Sequence, residues 1–209
     1  MADAGSDPNH LKDFLKGAEA IVYPAESSEL SGLKALIKER IEKKYREKSL
    51  DERLRTERTR QEARLLMRAK EVGVLCPIIY DVSKYKLTIK KLEGKMLYYV
   101  KNISDKRIKE AAKILAKLHS ANIIHGDFTP ANLIITKKGL VVIDFGLGYF
   151  SKKTEDKAID VVTMKKALGE NGKKGDLFVK EYAKHGDKQI KAIVKRVGMI
   201  EKRVRYAER

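Results

Sequence analysis

In the N-terminal part of the chain, short apolar runs alternate with polar turns. Ala20-Ile21-Val22-Tyr23 and Leu33-Lys34-Ala35-Leu36-Ile37 read as two strands, with Lys16-Gly17-Ala18-Glu19 ahead of the first and a polar turn from Ser27 to Gly32 between them. Residues 50–72 then change period. Leu50, Leu54, Leu65, Leu66 and Val72 lie in a charge-rich, helix-forming composition that stops at Gly73, which predicts one long helix. Val74–Val82 and Tyr85–Ile89 predict two further strands that complete a small antiparallel sheet. An amphipathic helix at about 106–120 follows, with Ile108, Ala111, Ala112, Leu115 and Leu118 on its apolar face. Beyond it come Ile123-Ile124, a hairpin of Leu133-Ile134-Ile135 and Leu140-Val141-Val142-Ile143 about the turn Lys137-Lys138-Gly139, and a helix at about 156–168. A sheet with one long helix, followed by mainly helical chain, is an α+β order.

The polar residues at the ends of that hairpin carry the chemistry. Its first strand is preceded by His125-Gly126-Asp127-Phe128-Thr129-Pro130-Ala131-Asn132, and its second runs into Asp144-Phe145-Gly146. Moving a phosphoryl group needs carboxylate and amide oxygens to hold magnesium against a triphosphate, and a carboxylate beside the acceptor hydroxyl. At this spacing Asp127 is the candidate base, and Asn132 and Asp144 are the candidate metal ligands. His-Gly-Asp or Asp-Phe-Gly alone is usually only a turn, with glycine supplying positive φ. Order and strand context raise the signal: the hairpin returns both loops to one edge. His125 is expected to orient the loop, and His119 to pack at a helix end.

Length and composition change the picture in four places. With 209 residues the chain is long enough for one large domain or two small lobes. No apolar stretch reaches the 18 or so residues of a membrane span, so a cytoplasmic protein without membrane contact is expected. The single cysteine, Cys76, has no internal disulfide partner and reads as a buried small residue. The net charge of +17 is high enough to suggest RNA or an RNA-containing assembly as a partner, although lysine- and glutamate-rich surfaces laced with ion pairs have the same composition. Positive clusters lie at Lys43-Lys44-Tyr45-Arg46, Arg53 to Arg68, Lys152-Lys153, Lys165-Lys166 and Lys188 to Arg209.

Upstream, Lys38 directly follows the second predicted strand and is the candidate for holding the α- and β-phosphates. The long helix offers Glu62 as its partner, with Glu52, Glu57 and Glu71 as rivals; any of the four could instead make i, i+4 pairs along the helix. Gly17 is what remains of a glycine-rich phosphate loop, in the segment Gly17-Ala18-Glu19-Ala20, and a plain hairpin turn explains it as well. Lys90-Lys91-Leu92-Glu93-Gly94 reads as a hinge whose extended main chain could meet adenine, through Lys90 and Leu92. Residues 1–10 look like a polar leader without an apolar targeting stretch.

Together these segments resemble the protein-kinase superfamily, and within it the small atypical KEOPS-complex kinases. The resemblance rests on Gly17-Ala18-Glu19-Ala20, Ile37-Lys38-Glu39-Arg40, Lys44-Tyr45-Arg46, Leu50-Asp51, Arg58-Thr59-Arg60-Gln61-Glu62-Ala63 and the His125–Asn132 loop, in that order. It implies a minimal two-lobed kinase-like fold: an N-lobe over residues 11–92 with an antiparallel sheet and long helix, and a reduced, mainly helical C-lobe over 93–209. It implies Lys38 and Glu62 as an ion pair, Asp127 as the catalytic aspartate, Asn132 and Asp144 as magnesium ligands, and ATP with Mg2+ as cofactors. The activity implied is that of an atypical Ser/Thr kinase or ATPase supporting threonylcarbamoyladenosine modification of tRNA. Its partners would be the threonylcarbamoyl-transferase subunit, to which some archaeal members are fused, and a small accessory subunit, with tRNA met through the complex. Residues 1–10 would then be a linker remnant.

Two departures from ordinary kinases carry mechanism. Gly126 replaces the arginine that reads a phosphorylated activation loop, and only about ten residues, with no Ala-Pro-Glu motif, separate Gly146 from the next predicted helix. A full activation segment and peptide platform cannot be built there. The basic end Lys202-Arg203-Val204-Arg205 is looser than the family's usual tail. A RIO-type kinase of ribosome maturation is a neighbouring reading, although that family typically departs from Asp-Phe-Gly. Small-molecule kinases share the His-Gly-Asp loop but usually have longer C-lobes, and a pseudokinase scaffold is opposed by the intact polar set.

Overall fold

Extended and helical segments fall where the apolar periodicity changes. A computed structural model describes residues 15–17, 19–25, 34–169, 172–185 and 189–207. The leader at 1–10, Ala18 and the turn from Ser27 to Gly32 lie outside the described residues. The described chain divides into two units, one containing residues up to Arg60 together with Ile78–Lys91, the other Gln61–Pro77 and the chain from Leu92 onward.

In the first unit β1 (Leu15–Lys16), β2 (Ala20–Pro24), β3 (Ala35–Arg40), β4 (Ile79–Val82) and β5 (Lys86–Lys90) form an antiparallel sheet in the order β1-β2-β3-β5-β4. Register places Lys38 opposite Val22 on one side and Leu87 on the other. Lys38 therefore sits inside a central strand, where the sequence had put it just past the strand end. Leu36, Lys38 and Arg40 share one face, and Glu39 points to the other, where it accepts a bond from the Tyr23 hydroxyl at 2.7 Å.

Helix α1 (Lys48–Glu71) has two characters. Its start is organised by carboxylates: Glu47 accepts the N–H groups of Ser49 and Leu50, each at 3.0 Å, satisfying donors that a helix N-terminus leaves open. Buried Asp51 accepts the Lys43 N–H at 3.2 Å and Arg55 Nε at 2.6 Å, with Arg46 3.6 Å away. The end of α1 belongs to the second unit and buries Glu62, Ala63, Leu65, Leu66 and Ala69. Gly73 closes it at φ 75°, with its N–H on the Lys70 carbonyl and that of Val74 on Ala69, a left-handed helix stop.

The predicted strand Val74–Val82 is shorter than expected. Only Ile79–Val82 pairs with the sheet, because Val74–Pro77 belongs to the second unit, where the Leu75 carbonyl accepts the Val142 N–H at 2.9 Å. Cys76 is buried there as expected, and burial pushes its thiol up to about 12.

The second unit is helical around small sheets. β6 (Lys95–Met96), β8 (Leu133–Thr136) and β9 (Gly139–Val142) form one; β7 (Ile123–Ile124) pairs with β10 (Tyr149–Phe150) in another. Helices α2 (Asp105–Ser120), α3 (Thr154–Ala167), α4 (Lys173–His185) and α5 (Ile190–Ala207) complete it, with α2 packing on α4 and α3 on α5. The apolar face read for α2 is the buried one. Among the described residues no helix is long and apolar enough to cross a membrane.

Candidate active site

The β8–β9 hairpin positions the central pair. Its register sets Leu133 opposite Val142, and one step beyond, the Ile143 N–H donates to the Asn132 carbonyl at 3.0 Å. Asn132 and Asp144 therefore leave the open end of the same hairpin. The Asn132 amide nitrogen donates to the Asp127 carbonyl at 2.8 Å and to Asp127 Oδ2 at 2.9 Å, which turns its Oδ1 away as an acceptor. Asp144 has φ 60° and accepts the Gly146 N–H on Oδ1 at 3.0 Å, a conformation aspartate tolerates better than most residues. Three oxygen-bearing side chains are thus fixed by short, local bonds.

His125 joins the two loops. Its ring is fully buried, with Phe145 and Phe128 centroids at 4.8 and 5.5 Å. Nε2 lies 3.1 Å from the Ile143 carbonyl, and Nδ1 lies 3.3 Å from the Asp127 N–H. A carbonyl can only accept and an N–H only donate, so one neutral tautomer, protonated on Nε2, satisfies both. Burial lowers the ring's pKa below the ordinary histidine value, against the opposing pull of Asp160 and the other nearby carboxylates. The expected orienting role of His125 has this geometric content.

Asp160 on α3 was missed by sequence reasoning. Its carboxylate, 1% exposed, accepts the His125 N–H at 2.7 Å on Oδ2 and the Gly126 N–H at 2.9 Å on Oδ1. His119, whose Nδ1 is 2.7 Å from the Tyr182 hydroxyl, adds Nε2 at 3.3 Å from the same Oδ2. The only sequence signal was an aspartate beside Val161-Val162, on the helix face that also buries Lys157 and Met164. Gly126 adopts φ 81°, and a Cβ there would collide with the Leu147 carbonyl.

The remaining candidates are distributed over both units. In the first, the Gly17 N–H bonds the Ala20 carbonyl at 2.9 Å and closes the turn between β1 and β2, and Glu19 pairs with Arg58. Ala20 is buried, and Lys38 is half-buried in β3. The Lys90 N–H is engaged by the Ile78 carbonyl at 2.8 Å. In the second unit, Leu92 is half-buried and Glu62 is 3% exposed. Of the four glutamates weighed on α1, Glu52 pairs with Lys84, Glu71 with Arg68, and Glu57 is exposed, which leaves Glu62 as the buried one. Its neighbour Gln61 donates to the Gly148 carbonyl at 2.6 Å, just after Asp144-Phe145-Gly146.

Among the described residues no cluster of three His, Cys, Asp or Glu side chains forms a closed metal cage. Magnesium needs none, because it binds through one or two carboxylates and the substrate's phosphates. The hard oxygens of Asn132 and Asp144 fit that mode.

An antiparallel sheet, a long helix and a hairpin carrying these loops define a kinase-like α+β fold, and comparison with known proteins agrees. The Rio2 kinase–ADP/Mg2+–phosphoaspartate complex from Chaetomium thermophilum is similar with a TM-score of 0.64 at 15% identity, over 90% of this chain and 65% of that one. The RIO domain family model matches residues 22–160, and the chain belongs to that family, among its archaeal KEOPS-type atypical kinases. The KEOPS complex subunit Bud32 of Pyrococcus abyssi is 36% identical over 95% of this chain and 98% of its own length. The probable bifunctional tRNA threonylcarbamoyladenosine biosynthesis protein of Methanosarcina acetivorans is 41% identical over 91% of this chain, which spans only 35% of that relative. The RIO-type and KEOPS readings weighed on the sequence thus meet at the level of the domain.

Proposed function

We propose that the chain is an ATP- and Mg2+-dependent atypical Ser/Thr kinase or ATPase that works in the cytoplasm within a KEOPS-type assembly and supports threonylcarbamoyladenosine modification of tRNA. The observation that carries the reading is the hairpin-closed set of Asp127, Asn132 and Asp144. Asp127, held by the Asn132 amide, would accept the proton of the attacking hydroxyl or water. Asn132 Oδ1 and the Asp144 carboxylate would hold magnesium, which supplies charge neutralisation at the phosphates when bound. Lys38 would hold the α- and β-phosphates and take Glu62 as its ion-pair partner. The turn from Gly17 to Ala20, including Ala18 and Glu19, would cover the phosphates. Adenine would meet the main chain at Lys90 and Leu92, where the N–H groups of Lys90 and Lys91 are already engaged by the Ile78 and Lys34 carbonyls and Leu92 would supply the next one. The chain's partners in the assembly would be a threonylcarbamoyl-transferase subunit and a small accessory subunit; membership of such an assembly is supported by one relative's name as a KEOPS complex subunit and another's as a bifunctional tRNA threonylcarbamoyladenosine biosynthesis protein.

The test is phosphate release and transfer from labelled ATP with magnesium, with and without the transferase partner and tRNA. Asp127→Ala and Asp144→Ala should each lower the rate by 10²-fold or more, about 3 kcal/mol of transition-state stabilisation. Equal residual rates in wild type and both variants would leave a scaffold without turnover.

A further inference from the structure

A second polar site lies at the other end of the β8–β9 hairpin. A cleft of about 690 Å3 opens between the first half of α2 and the turn Thr136–Gly139. It is roughly 13 Å from Asn132, by four residue steps along the strand to Thr136. Its cations come from two segments: Lys106, Lys109 and Lys113 recur along one face of α2, and Lys137 and Lys138 form the turn. None of these segments was among the basic clusters visible in the sequence. The fold assembles this one.

The turn is fastened to the helix. Glu110 Oε1 accepts the Leu140 N–H at 2.7 Å, and Glu110 Oε2 accepts from Arg107 at 2.6 Å. Gly139, at φ 127°, lets the chain approach so closely that a Cβ would press on Glu110. Thr136 Oγ1 donates to the Gly139 carbonyl at 2.9 Å and accepts the Lys138 N–H at 3.2 Å. The cleft's one carboxylate is thus occupied internally, while its five lysines are exposed and, among the described residues, make no ion pair. Like charges are held side by side although this raises their mutual repulsion, which an anionic partner would relieve.

We propose that this cleft binds the sugar–phosphate backbone of RNA. Lys106 and Lys113 are about 10 Å apart along the helix axis, a row of cations and not a point. No lysine in it is buried, so nothing fixes a single small phosphate ligand. The lining is Lys, Arg, Glu, Thr and Gly, with no apolar or aromatic side chain to form the core of a protein interface or to stack a base. Binding is therefore salt-dependent and indifferent to sequence. The choice of RNA as partner draws on the tRNA-linked reading above, but not on its ATP chemistry.

The experiment is titration of a labelled, unmodified tRNA transcript with the full chain by fluorescence anisotropy across about 50–200 mM salt. Replacing Lys109, Lys113, Lys137 and Lys138 by Gln should weaken binding at least ~10-fold, and the slope of log K against log salt should fall by about 3. Replacing Lys152, Lys153, Lys191 and Lys195 by Gln removes the same charge elsewhere and should cost less than ~3-fold by the same electrostatics. Asp144→Ala should bind the transcript like wild type, so a failure of the ATP reading leaves this result distinct. Equal losses in the two lysine variants, or an unchanged slope in the first, would overturn the proposal. So would a cleft variant that keeps RNA binding but loses a labelled poly-glutamate peptide, an outcome that would assign the surface to an acidic protein. Circular dichroism should show both lysine variants folded.

Discussion

Asp160 is the residue whose removal should disturb the candidate site most without touching a reacting group. Asp160→Ala deletes the acceptor of the His125 and Gly126 N–H groups. The His125 N–H is buried and would be left unsatisfied, which costs about 1–3 kcal/mol; the Gly126 N–H is closer to solvent and loses about 0.5–1.5 kcal/mol. The expected loss of stability is therefore about 3 kcal/mol, or roughly 6–12 °C in Tm for a chain of this size. Asp160→Asn keeps one acceptor oxygen but presents an NH2 to the second N–H, so it should fall between alanine and wild type. Thermal unfolding gives the global value, and amide hydrogen exchange at His125 and Gly126 tests whether the change is local. ATP turnover should fall in the same order, because Asp127 follows directly on the clamped backbone. If Asp160→Ala melted within ~1 °C of wild type and its 125–126 amides exchanged no faster, Asp160 would not be the clamp inferred here.

Gly126→Ala should cost at least ~2 kcal/mol, since a left-handed φ is unfavourable for alanine and the Leu147 carbonyl occupies the Cβ position; the denaturation midpoint measures this, and near-wild-type stability would refute it. Burial disfavours the charged form of His125 in the folded state, so as pH falls below about 6.5 the unfolded state takes up more proton than the folded one. Stability from this residue is full above that pH and should decline as pH falls below it, a slope that urea titrations at a series of pH values should find flattened in His125→Gln.

How far the sequence could be read depends on whether a role is local. α2 and the β8–β9 hairpin announce themselves by period and α1 by its helix-forming composition and glycine stop, and the loops at the hairpin's open end follow from the hairpin. Lys38 was placed just past a strand because Leu33–Ile37 is the apolar run, whereas pairing with β2 and β5 carries β3 on through charged Lys38, Glu39 and Arg40. Val74–Pro77 looked like strand because it is apolar, but its partners lie in the second unit. Asp160 could not be found by spacing from the loop it holds, 34 and 35 residues earlier in the chain. The same distance hid the lysine cleft, where neither contributing segment is extreme alone.

The glycine between His125 and Asp127 shows how these long-range contacts change the meaning of a motif. Read alone, Gly126 is the loss of an arginine that would sense a phosphorylated loop. In the structure the position cannot carry any side chain, because the Leu147 carbonyl fills the space and φ is 81°. The order that a phosphate–arginine contact would have to induce is supplied by fixed groups: Asp160 on two backbone N–H groups, His125 bridging to Ile143, and Gln61 on the Gly148 carbonyl. All three are uncharged or backbone-directed contacts within one unit, so they form as that unit folds and need no modification. A loop assembled in this way has no two-state element for phosphorylation to bias. Control over the proposed ATP site would then have to act on access to it, through what binds beside it.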